Sequence, residues 1–274
     1  MSSPLNLSPL GHKSVYIDHY DPTLLFPIPR KTKRDELNLP SDLPFSGWDI
    51  WNAFELSWLT PKGKPMVAIA VFQIPCTSPN IIESKSFKLY LNSFNQSKIE
   101  DTHALLDLLN HDLSKATGAP VSIRLYDPDS PDISRIRRPQ GVCLDHADIT
   151  IDQYTVNPEH LFTEPEENTE TLYSHLLKSN CLVTGQPDWG TLEIAYTGKK
   201  INHEGLLKYI VSFRNHNEFH EQCVERIFMD IMNRCRPTEL SVYARYTRRG
   251  GLDINPIRTT QAHSTVENHR LSRQ

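Results

Sequence analysis

Apolar residues recur with two different spacings along this chain, and the order of the two spacings is informative. Over residues 55–74, β-branched and aromatic side chains flank Pro61-Lys-Gly-Lys64, which predicts two strands joined by a turn. Residues 83–94 and 102–113 take up the spacing of amphipathic helices, the second through Leu105, Leu106, Leu108, Leu109 and Leu113. Alternation returns over 121–126 and predicts a strand. A stretch dense in Asp, Pro and Arg over 127–139 predicts a loop, and 149–156 alternates again and predicts another strand.

The same order then recurs. Residues 192–196 predict a strand, 204–213 and 218–232 two helices, and 240–246 a strand. Phe87-Lys-Leu-Tyr-Leu-Asn-Ser-Phe94 resembles Leu207-Lys-Tyr-Ile-Val-Ser-Phe213 when one residue of slippage is allowed. Tandem duplication is the simplest reading, with chance similarity between two amphipathic helices as the alternative. Each half reads as an antiparallel sheet with two helices on one face, an α+β pattern. The expected division is an arm over 1–46 that covers the fold and contains Arg30-Lys-Thr-Lys-Arg34, modules over 47–160 and 161–258, and a mobile tail over 259–274.

Composition narrows the classes. The chain has 274 residues, 38% hydrophobic and 23% charged, the balance of an ordinary globular protein. A net charge of -4 argues against bulk nucleic-acid binding. The longest apolar stretch, 67–74, is far short of the roughly 20 residues a membrane-crossing helix needs. Residues 1–18 lack the pattern of a secretory signal, so a cytoplasmic protein is expected. Five scattered cysteines without a C-x-x-C pair suit reduced thiols rather than a disulfide framework or a four-thiolate zinc site.

Two segments concentrate reactive groups. Ser179-Asn-Cys-Leu-Val-Thr-Gly-Gln-Pro-Asp-Trp-Gly190 sets Cys181 shortly before Asp188, whose Pro and Trp neighbours would desolvate it and raise its pKa toward that of a general acid. A small buried thiol and a turn acid are the structural alternative. In Asn215-His-Asn-Glu-Phe-His-Glu-Gln-Cys223, Asn217 is the expected N-cap, which puts His220 and Glu221 in the first helical turn. There a carboxylate can accept two hydrogen bonds from a guanine-like edge and His220 can move a proton, whereas Glu218 is read as an acid that merely steadies the helix dipole. His216, His220 and Cys223 make a poor zinc set, because Glu218 is out of register with H-E-x-x-H.

Phosphate recognition has its own candidates. Glu83-Ser-Lys-Ser-Phe-Lys-Leu-Tyr90 opens a helix with Lys85 and Lys88 beside the hydroxyls of Ser84 and Ser86, although a solvated polar face would look the same. Arg248 and Arg249 precede Gly250 in a glycine turn after a strand. Neither a dinucleotide fingerprint nor a Walker A sequence is present, so a nucleotide cofactor would bind outside those folds.

Together, Glu83 to Tyr90, Lys178-Ser-Asn-Cys181, Gln186-Pro-Asp-Trp-Gly190, His216 to Arg226 and Tyr243-Ala-Arg-Tyr-Thr-Arg-Arg-Gly-Gly251 closely resemble the NADPH-dependent 7-cyano-7-deazaguanine reductases, the QueF family in its long bimodular form. The resemblance covers about residues 48–258. It implies tandem tunnelling-fold modules, active sites at module junctions, a homodimer, and a place in making the queuosine precursor of transfer RNA. It also implies that Cys181 adds to the nitrile carbon to form a thioimide, that Asp188 protonates the nitrogen, and that His220 serves later proton transfers. By the same resemblance Glu83 and Glu221 grip the deazaguanine ring and Phe219 covers it. Ser84, Lys85, Ser86, Lys88, Arg248, Arg249, Gly250 and Arg258 are the expected NADPH contacts, and no metal is needed. A zinc-dependent cyclohydrolase acting on GTP and a non-catalytic purine or RNA binder are the competing readings.

Overall fold

In the computed structural model, which describes residues 16–262 and 267–274, the expected hairpin is present and longer than its alternation suggests. The strands and helices, in order, are β1 Pro27–Pro29, α1 Lys31–Glu36, β2 Ser46–Leu59, β3 Pro65–Pro75, β4 Asn80–Ile82, α2 Ser84–Asn92, α3 Thr102–Thr117, β5 Ser122–Tyr126 and α4 Pro131–Ser134. They continue with β6 Val142–Cys143, β7 Thr163–Asn180, β8 Pro187–Ile201, α5 His203–Ser212, α6 His220–Cys235, β9 Glu239–Tyr246 and β10 Leu252–Thr259. Apart from the short parallel contact of β6 with β7, the strand pairs with a recorded register are antiparallel, and the class is α+β. No helix among the described residues is long and apolar enough to cross a membrane.

Two compact units are interleaved in sequence. Within the described residues, the first contains 16–35, 49–135 and 248–253, and the second contains 36–48, 136–247, 254–262 and 267–274. The change between units nearest the middle of the chain falls at 135/136.

In the first unit the strands lie in the order β5-β3-β2. The turn between β2 and β3 closes through Thr60 and Lys64, with Gly63 supplying the positive φ of 81°. Trp51, Phe72 and Phe87 form an aromatic centre, both outer rings lying 5.1 Å from Phe87 in edge-to-face packing. Part of the expected irregular arm is built into this unit. β1 pairs with β4, and buried Arg30 holds Asp49 at 2.5 Å while also donating to Ser78. Residues 1–15 of the arm and 263–266 of the tail lie outside the described residues.

In the second unit the order is β10-β9-β8-β7-β6. Every other residue of β9 is apolar, and α6 packs on that strand through a stripe of Val224, Ile227, Phe228 and Ile231, all fully buried. Burying a side chain such as Phe228 contributes roughly 1.5–3 kcal/mol, and Phe45 meets its ring edge-on at 5.4 Å.

Three expectations need correction. Residues 149–156 alternate as a strand would, yet they form no regular structure. Alternation makes a strand only where a partner strand pairs with it, and among the described residues 149–156 belong to no strand of either sheet. The described residues of the expected tail over 259–274 are not loose, since β10 runs to Thr259 and both Leu271 and Gln274 are buried. Asn217 does not cap α6. Its side-chain oxygen instead accepts from the Asn180 amide at 3.1 Å, and Phe219 occupies the cap position.

Candidate active site

Where β7 turns into β8, the ladder determines which residues meet. Ser179 pairs with Asp188 and Asn180 with Pro187, and the pairing continues past the strands through the Cys181 N–H, which donates to the Gln186 carbonyl at 2.8 Å. Side chains two apart share a face, so Ser179 and Cys181 project to the side on which Asp188 stands. Both the thiol residue and the acid are buried, at 6% and 5% exposure. The intervening loop 182–186 is open, with Gly185 in the left-handed region at φ 66°.

The start of α6 is brought to the same place by a second set of bonds. The Asn180 N–H donates to the His216 carbonyl at 2.8 Å and the Glu218 N–H to the Asn180 carbonyl at 3.3 Å, so residues 216–218 add a short parallel bridge to the end of β7. Lys178 reinforces this by donating to the Arg214 carbonyl at 2.7 Å. In consequence Phe219, His220 and Glu221 follow directly beside the hairpin end. His220 Nε2 lies 3.4 Å from Asp188 Oδ2, an ion-pair distance slightly beyond a good hydrogen bond. Glu221 is buried in the first turn of α6.

Three residues inside the quoted motifs, Tyr246, Gly190 and Glu218, make contacts that the motifs do not announce. The Tyr246 ring stacks on His220 with centroids 3.8 Å apart and planes 8° from parallel, which fixes the imidazole. Gly190 makes room for it, since a Cβ there would sit 3.3 Å from both Tyr246 and Leu177. A glycine inside a strand is the signal that could have exposed this close approach. Glu218 is not a dipole acid. It is buried, accepts from His216 at 2.9 Å, and takes both Nε and Nη2 of Arg226, at 3.1 and 3.0 Å. Burial alone would raise its pKa, but the His216 and Arg226 hydrogen bonds outweigh it and hold the carboxyl below the usual range.

Cys223, the thiol of the competing zinc set, is fully buried, and burial pushes its pKa up to about 12. A metal ligand must be a thiolate, so this cysteine is poorly suited to the task. Among the described residues no three His, Cys, Asp or Glu side chains are grouped so as to hold a metal.

The cofactor candidates divide. Within the first unit, Lys88 pairs with Glu55, a Cβ on Gly250 would lie 3.9 Å from the Lys88 side chain, and Arg248 lies over the Phe54 ring at 3.9 Å. Residues far apart in sequence thus form one basic patch, Arg249 and Gly250 being exposed on its turn. Lys85 is half-buried, and Ser86 is buried, its hydroxyl donating to the Glu83 carbonyl at 2.7 Å. Glu83 itself is wholly buried. Its carboxylate accepts from the Lys85 and Ser86 N–H groups, each at 2.7 Å. Burial raises its pKa against the lowering effect of those bonds. Arg258 must be withdrawn as a phosphate contact: the side chain has no exposure, and Nε and Nη2 both hold Glu225, at 3.1 and 2.8 Å. Releasing it would leave a buried carboxylate unpaired. The remaining basic side chains at the glycine turn fit a phosphate-bearing dinucleotide by charge and donor type.

A buried thiol on the same strand-pair face as a carboxyl, itself paired with an imidazole, has the groups that an enzyme working by a protein nucleophile with acid–base assistance would need. Residues 16–125 match the family model described as nitrile reductase, 7-cyano-7-deazaguanine-reductase N-term, and residues 187–265 match that described as QueF-like protein. Proteins named NADPH-dependent 7-cyano-7-deazaguanine reductase are 60% identical in Cupriavidus necator and 59% in Cupriavidus taiwanensis, each alignment covering 97% of this chain and 98% of the relative. One from Dechloromonas aromatica is 57% identical over 100% of this chain and 98% of its own length. The chain belongs to the 7-cyano-7-deazaguanine reductase family.

Proposed function

We propose that this protein reduces the nitrile of 7-cyano-7-deazaguanine to 7-aminomethyl-7-deazaguanine with NADPH. The observation that carries the reading is the pairing of Ser179 with Asp188, which puts the buried thiol of Cys181 and a buried carboxyl on one face of the hairpin end. A nitrile is a weak electrophile. Attack by the Cys181 sulfur forms a C–S bond, one π pair moves to nitrogen, and Asp188 delivers the proton that completes a thioimide. When bound, NADPH supplies hydride, two equivalents per nitrile with two protons; the C–S bond breaks and the thiol is restored after the first, as the imine forms, and the second gives the amine.

The chain's own residues do the rest. His220, held flat by Tyr246 and paired with Asp188, passes protons to the reducing nitrogen. Glu221 accepts from the amino-pyrimidone edge and Phe219 lies over the base. Glu83 is assigned a like role in the first unit, using lone pairs that its own helix leaves over. Ser84, Lys85, Ser86, Lys88, Arg248, Arg249 and Gly250 form the cofactor-binding set. The family resemblance further supports tandem tunnelling-fold modules, a cytoplasmic homodimer and service to queuosine formation in transfer RNA.

Following NADPH absorbance with the purified protein and the nitrile tests the reading. Two NADPH consumed per nitrile, with turnover lost in Cys181→Ala, is the expected result, and full turnover in that variant would overturn it.

A further inference from the structure

Strand β7 contains an irregularity that decides which way Cys181 faces. Between the pairs Ser174↔Leu192 and Leu177↔Gly190, β7 advances three residues while β8 advances two. One extra residue is thereby inserted, a β-bulge. Upstream of it the buried positions are Leu172 and Ser174. Downstream they are Leu177, Ser179 and Cys181, while Leu176 is 41% exposed. Because side chains alternate with a period of two, an unbroken ladder would bury Lys178 and Asn180 and turn Cys181 to the opposite face.

A bulge leaves backbone groups without ladder partners, and here side chains from two distant segments take them up. Asp145 accepts from the His175 N–H at 2.9 Å and from the Ser174 hydroxyl at 2.6 Å, and the Leu176 N–H donates to the Ser174 oxygen at 3.1 Å. Arg273 Nη2 donates to the His175 carbonyl at 2.8 Å and, across the pair, to the Gly190 carbonyl at 3.1 Å. Asp145 follows β6, which lies parallel on β7 and is preceded by Gly141. There φ is 99°, and a Cβ would strike the Thr171 carbonyl. Arg273 is delivered by a segment anchored through Gln274, whose amide donates to Asn255 Oδ1 at 2.8 Å and accepts from Arg245 at 2.9 Å.

The geometry points to Asp145 and Arg273 as positioning residues that lock this bulge and so hold Cys181 on the face of Asp188. The catalytic consequence rests on the nucleophile reading above, but the facing of the thiol does not. Iodoacetamide labelling of Cys181, read by peptide mass spectrometry with Cys76 as the internal reference, reports the facing directly. In Asp145→Ala, Cys181 labels about tenfold faster than in the parent, and kcat for the nitrile falls by about tenfold or more while KM stays within about threefold. Asp145→Asn, which retains one acceptor, lies between the two. Arg273→Ala, a change at an exposed side chain that folding tolerates, gives a smaller shift of about threefold in the same direction. Labelling within about twofold of the parent in both alanine variants, whatever the activity, overturns the proposal. Altered labelling in a protein that forms no adduct on Cys181 would leave the bulge standing and remove the nucleophile.

Discussion

The helices α2 and α6 begin in opposite ways. At the start of α2, Glu83 turns its carboxylate back onto the Lys85 and Ser86 N–H groups, and the Ser86 hydroxyl returns a bond to the Glu83 carbonyl. At the start of α6, Phe219 occupies the cap position and supplies no side-chain hydrogen bond. Nearby groups that could have capped it are committed elsewhere, Asn217 to Asn180 and Glu218 to His216 and Arg226. A helix start whose first N–H groups are met by its own cap is closed to a second acceptor at those groups, whereas one without a side-chain cap can offer them to a ligand. The difference teaches where to look: the proposed thiol chemistry lies beside the helix start that has no side-chain cap.

Cys181→Ala should break that region most severely, lowering kcat by about 1,000-fold or more, and single-turnover measurement of amine formation checks it. Glu83→Ala attacks the finished terminus instead. It strands two buried N–H groups, and a loss of roughly 1–3 kcal/mol is expected in urea unfolding. Phe219→Asp sharpens the contrast by giving α6 the cap it lacks. We expect a gain of about 0.5–1 kcal/mol in stability together with a raised KM for the nitrile, since the new carboxylate competes for the donors and the covering ring is lost. Thermal melting beside steady-state kinetics separates the two effects. The smallest effect concerns Glu218. Its folded pKa is lowered, so its contribution to stability is present above the ordinary carboxylate pKa and is lost as pH falls through the folded value. Between about pH 5 and about pH 3 the parent should lose more unfolding free energy than Glu218→Gln, which denaturant titrations at the two pH values would register.

Elements with clean periodicity were legible beforehand. The hairpin around Pro61-Lys-Gly-Lys64, α2, α3, α5 and β9 all follow from spacing. Strand β7 was not. Its first half, Thr163-Glu-Pro-Glu-Glu-Asn-Thr-Glu-Thr171, is polar, and the bulge at 175–176 shifts the alternation of its second half by one residue, so no single period spans it. Residues 149–156 failed in the other direction, because alternation says nothing about whether a partner edge is open. At the site, Cys181, Asp188, His220 and Glu221 stood out as reactive types in dense clusters. Tyr246 and Gly190 did not, since stacking and clearance are properties of three-dimensional approach. Arg258 misled for a related reason: a guanidinium suits a phosphate or a buried carboxylate equally well, and only burial against Glu225 distinguishes the two.

Mixing the protein with the nitrile in the absence of NADPH and weighing it intact puts the thiol to the most direct trial. A mass increase equal to one substrate molecule, localised to the peptide carrying Cys181 and slowed in Asp188→Asn, is the predicted result. An unmodified mass at saturating nitrile would contradict it.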